Sequence, residues 1–79
     1  MKVLYFVTAG ATDATRASLP LHLAVNGSVE VGHDAAVVFV GDATELLSEE
    51  TANRLEGVGV PAVRELMAKL LEHSVPVYV

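Results

Sequence analysis

Three stretches of the chain are apolar without a polar break, and the segments between them carry apolar residues at helical spacing. Val3 to Thr8 reads VLYFVT. A run of β-branched and aromatic residues, apolar on both faces, predicts a strand buried between two helix layers. It ends in Ala9-Gly10-Ala11-Thr12-Asp13, small and polar residues that mark a loop. Asp34 to Val40, with AAVVFV as its core, predicts a second strand of the same kind, ended by Gly41-Asp42. Ser74-Val75-Pro76 leads into Val77-Tyr78-Val79, the beginning of a third.

Between the first two strands, Ala17, Leu21, Ala24, Val25 and Ser28 form a stripe of small to medium residues on one helix face. Asp13 is placed to cap this helix, its carboxylate accepting from free N–H groups two or three residues on. Pro20 interrupts the pattern, because it lacks an N–H and its ring clashes with the Arg16 carbonyl. Two readings follow: a long helix from about Ala14, kinked near Arg16, or a shorter one from Leu19 capped by Ser18. The long helix is favoured because Ala17 fits the stripe. Asn26-Gly27 weakens it locally, and Gly32 is a natural stop.

After the second strand, Asp42 and Glu45 have the spacing of a capping box for a short helix through Leu46 and Leu47. Ser48 to Leu55 continues as helix or turn, until Gly57 and Gly59 break the chain. Pro61 suits the first turn of a further helix. Val63, Leu66, Met67, Leu70 and Leu71 are the clearest periodic signal, with Leu66, Leu70 and Leu71 expected in the core. Glu65 and Lys69 stand opposite in the favourable order, worth about 0.3 kcal/mol.

The order βαβ(α)αβ predicts one α/β domain over residues 1–79, a three-layer α/β/α arrangement with a parallel sheet and helices on both faces. The third strand has no helix after it, so the pattern is expected to be incomplete at its C-terminus. An unpaired parallel edge and apolar stripes without full cover predict an oligomer.

Composition narrows the chemistry. The 79 residues contain no cysteine, which excludes from them a disulfide, a thiolate metal site and a thiol nucleophile. A net charge of -5 with no basic run argues against nucleic acid as a partner. No apolar stretch approaches the roughly 18 residues of a membrane span, and the N-terminus has no signal-peptide pattern. His22 and His33 lie about 16 Å apart along a straight helix, too far to share a metal. His33 and His73 sit at helix ends, where a partial positive charge is favoured. The central glutamates read best as a solvated face. No metal site and no cofactor is implied.

In open parallel sheets ligands lie at the carboxyl ends of the strands. The candidate ligand-binding residues there are Thr8, Gly10, Asp13 and Arg16 in and after the first loop, and Gly41 and Asp42 in the second. Backbone N–H groups at two helix starts, with Arg16 beside them, could hold an anion. The plainer reading makes both aspartates caps and the glycines turn formers. Neither loop has a dinucleotide or P-loop glycine spacing, and two acidic caps would repel phosphate.

The segments KVLYFVTAGATDATRASLPLHLA, VGHDAAVVFVGDATELL and GVGVPAVRELMAKLLEHSVPVYV together resemble the DsrE-like family of small sulfur-relay proteins. The likeness is carried by Arg16 to Pro20, the Gly32-His33 step, the Gly41-Asp42 step and the closing Val-Pro-Val-Tyr-Val. It implies a three-layer α/β/α fold, a cytoplasmic location and assembly with copies of itself or with related DsrE-like subunits. In members that move sulfur, a cysteine just after a strand like Val75 to Val79 carries the persulfide, and no residue here inherits that role. The resemblance therefore implies a sulfur-relay relative that is not catalytic by itself. The rival readings are a non-catalytic assembly module and a small nucleotide- or phosphate-binding domain using the Thr8 to Asp13 loop.

Overall fold

The computed structural model describes residues 1–79. Three strands, β1 (Lys2–Val7), β2 (Asp34–Phe39) and β3 (Val77–Tyr78), form one parallel sheet in the order β1-β2-β3. The helices are α1 (Ala14–Leu23), α2 (Glu49–Arg54) and α3 (Val63–Glu72). The expected α/β class, parallel sheet and third strand are all present.

Helix α1 starts at Ala14, so the longer reading holds. It runs through Pro20 and opens into a π-helical turn over Ala24–Ser28, where the Val29 N–H bonds the Ala24 carbonyl at 3.1 Å. Asn26 and Gly27, weak helix formers, lie in that turn. The whole stripe of Ala17, Leu21, Ala24, Val25 and Ser28 is buried. Ser28 meets the Tyr5 hydroxyl of β1 at 2.6 Å. Gly32, at φ 81°, closes the run as expected, with His33 N–H bonding the Ser28 carbonyl.

Helix α3 starts later than expected, with Ala62 as its cap residue and Pro61 just ahead of it. It ends in a Schellman motif. The Val75 N–H bonds the Leu70 carbonyl at 2.9 Å and the Ser74 N–H bonds the Leu71 carbonyl at 3.1 Å. Ser74, at φ 54°, occupies the left-handed position where glycine is usual. This turn aims the chain into β3.

Val7, Val37 and Phe39 form one side of the core, against Leu21, Val25, Leu66 and Leu70. Register places Val3, Tyr5 and Val7 beside Ala35, Val37 and Phe39 on that helix-covered face. The opposite face carries Leu4 and Phe6 beside Ala36 and Val38, with Tyr78 on β3. Leu4, Phe6 and Tyr78 are 53%, 55% and 57% exposed there. The helices of residues 1–79 thus cover one face, where a second layer was also expected. The reason is topological. Both connections step the same way across the sheet, and crossovers of one hand then lay their helices on the same side.

Two local expectations are corrected. Leu71 is 83% exposed, while Val63, Leu66 and Leu70 are buried. Five apolar positions span a wider arc than the sheet and its neighbours cover, and Leu71 falls outside it. The Asp42–Glu45 capping box does not form. Gly41–Leu47 is a 3₁₀ helix with no side-chain cap, and the Thr44 hydroxyl instead bonds the Gly41 carbonyl at 2.9 Å.

These positions make a paired prediction. Leu70→Ala should lower unfolding free energy by about 2–5 kcal/mol, and Leu71→Ala by less than about 0.5 kcal/mol. Urea titrations of the two variants check both values, and similar losses would mean that the helix face is misplaced.

Candidate functional site

The three strands are parallel, so their carboxyl ends share one edge. The candidate residues come to that edge from two loops. Asp13 caps α1 as expected: its Oδ1 accepts from the Arg16 N–H at 3.0 Å, and its backbone carbonyl accepts from Ala17. The Arg16 guanidinium, largely exposed, lies 3.8 Å from Asp13 Oδ2 in the chain's one ion pair. The α1 N-terminus is therefore already occupied by a carboxylate, and a bound phosphate would meet negative charge there.

Gly10 and Asp42, from different loops, are brought into contact. Gly10 is buried, and a Cβ added to it would strike the Asp42 backbone carbonyl and come within 2.6 Å of Glu45 Oε1. Glycine is needed here for close approach rather than for a positive φ. Gly41 has the other kind of need, turning the chain out of β2 at φ 59°. Thr8 and Asp42 are exposed at the rim.

A third segment joins this edge that sequence reasoning treated only as a break. Gly57 packs against Thr15 Cα and the Ala14 carbonyl, and the Val58 N–H donates to the Thr15 hydroxyl at 2.9 Å. The Gly57/Gly59 pair was the available signal, but its partner on α1 is 43 residues away from Val58.

None of the six candidate residues lines a cleft. The three clefts lie elsewhere: about 330 Å³ on the open sheet face, about 480 Å³ at the amino edge by His33 and His73, and about 330 Å³ between Leu46 and Met67. The carboxyl edge is a platform without a cleft. The histidines and carboxylates do not gather into a metal-ligating group. No helix is long and apolar enough to cross a membrane.

The platform holds no thiol; its side chains are hydroxyls, carboxylates and one guanidinium. Residues 1–79 match the model of the DsrE/DsrF-like family. The chain belongs to that family. No curated protein and no solved structure matches it. Membership fits the parallel sheet and ties the chain, at family level, to sulfur relay.

The contact between the loops predicts that Gly10→Ala will be costly. The new methyl must displace backbone, and a loss of about 1–3 kcal/mol is expected. Gly27→Ala is the control, since nothing lies within 4 Å of a Cβ there. Equal stability of the two variants in thermal melts would show that the loops are not in contact.

Proposed function

We propose that these residues act as a cysteine-free subunit or module of a sulfur relay. They supply the scaffold and a docking platform at the carboxyl edge, while the persulfide-bearing thiol comes from outside residues 1–79. The carrying observation is a family match along all 79 residues in a sequence with no cysteine. Hydroxyls and imidazoles cannot hold a persulfide; the step needs a thiolate.

In this reading Thr8, Gly10, Asp13, Arg16, Gly41 and Asp42 form the surface presented to the thiol. Gly10 against Asp42 keeps the platform flat, and Asp13 holds Arg16 at its rim. A guanidinium beside a thiol favours the thiolate over the protonated form. The reading places the protein in the cytoplasm, where thiols stay reduced, and gives it a related, cysteine-bearing DsrE-like subunit as partner. No cofactor is needed for the transfer, because sulfur passes between thiolates.

The test mixes this protein with a cysteine-bearing DsrE-like subunit from the same genome and supplies a persulfide donor. Native mass spectrometry should show a mixed complex, with sulfur carried on the partner's thiol. Arg16→Ala should slow loading of that thiol roughly tenfold, equivalent to about 1.4 kcal/mol, with the fold intact by circular dichroism. Absence of a mixed complex, or loading unaffected by this chain, would contradict the proposal.

A further inference from the structure

The π turn after α1 and the helix α3 are joined by one side-chain hydrogen bond. Asn26 Oδ1, on the turn, accepts from Lys69 Nζ at 2.5 Å across 43 positions of chain. The other end of the same amide, Nδ2, lies 3.0 Å from Nδ1 of His22, four residues back on α1. All three residues are half-buried.

The donors and acceptors fix where the imidazole proton sits. A lysine ammonium only donates, so the amide must turn its oxygen to Lys69. The amide nitrogen, which also only donates, is left for the imidazole. His22 Nδ1 is therefore the acceptor, and the ring is the neutral tautomer with its proton on Nε2. A proton added at Nδ1 sets donor against donor.

We propose that His22, Asn26 and Lys69 form a proton-controlled latch between the π turn and α3. With His22 neutral, the amide serves both neighbours and the latch is closed. With His22 protonated, an imidazolium and an ammonium need the single Oδ1, and the two cations repel each other. Lys69 then leaves the turn. A second position stands ready for it on its own helix. Glu65 and Glu72 lie four residues before and three after it, both exposed. Neither is paired with it in the closed state, since the chain's one ion pair is Arg16–Asp13. Glu65 has the spacing and order of a favourable helical pair with Lys69.

The surroundings leave this choice to the three residues. On α3, the other charged side chains are Arg64, Glu65 and Glu72. The strands β1 and β2, also packed on α1 or the turn, carry Lys2, Tyr5 and Asp34. Of all these only Tyr5 bonds the turn, through Ser28. Glu56 precedes Gly57, which packs at the far end of α1, and Glu30 and His33 follow the turn. No carboxylate pairs with His22. The Lys69 carbonyl accepts from the His73 N–H at 3.0 Å, so the latch bears on the turn that leads into β3. It is internal to residues 1–79 and does not depend on the sulfur-relay reading.

Nuclear magnetic resonance of the unmodified chain tests it. At about pH 8, long-range proton–nitrogen spectra should show His22 with its proton on Nε2. Cross-relaxation between the Lys69 ε-methylene and the Asn26 β-methylene should fall by roughly threefold or more by about pH 5, in step with formation of the His22 imidazolium. Asn26→Asp keeps the shape but offers oxygens to both cations, so its contact with Lys69 should persist at both pH values. In His22→Leu, which has no proton to take up, the Asn26–Lys69 contact should also persist. The proposal is overturned by a neutral His22 protonated on Nδ1. It is equally overturned if the contact survives beside the imidazolium, or if acid removes it as readily in either variant.

Discussion

The structure depends on one constraint: both crossovers of the sheet run in the same direction. Because β1, β2 and β3 lie side by side in chain order, connections of a single hand must return over the same face. The buried apolar residues of α1, the π turn and α3 are thereby brought to one side, against Val7, Val37 and Phe39. The helices then compete for one surface, and none of those in residues 1–79 lies on the other. The fully buried residues form one continuous cluster for this reason. For the same reason the helices of residues 1–79 leave Leu4 and Phe6 exposed on the other face.

The same constraint explains how the carboxyl edge is built. Helices that share one side of a small sheet crowd together at their ends, and the loops between them must be small to pass. Gly10 admits the Asp42 carbonyl, and Gly57 admits the backbone of Ala14 and Thr15. The result is a platform rather than a pocket. A platform suits docking of another protein's reactive group better than capture of a free nucleotide, which needs concave cover.

Much of this was legible in the residues. Strong β propensity located β1 and β2, the Ala17–Ser28 stripe overrode Pro20, and Asp13 was recognisable as a cap. The misreadings have physical causes. A strand apolar on both faces has the same sequence whether its second face is covered or bare, so the two-sided helix cover could not be judged from β1 and β2 alone. The arc of α3 that is apolar exceeds the arc that is buried, so Leu71 was indistinguishable from Leu70. Asp42 and Glu45 had the right spacing for a cap, but Gly41 at φ 59° started a 3₁₀ turn whose geometry does not use it. The candidate edge was legible as a set of loops, while the docking of Gly57 and Val58 on Thr15 was not, because it is a contact between residues far apart in the chain.

The chain has two phenylalanines, one on each side of the sheet: Phe39 is 1% exposed and Phe6 is 55% exposed. Fluorophenylalanine labelling therefore reads the one-sided architecture directly. At high dilution, a soluble paramagnetic agent should broaden the Phe6 signal strongly and leave that of Phe39 nearly untouched. Equal protection of both rings at high dilution would contradict a sheet covered on one face only.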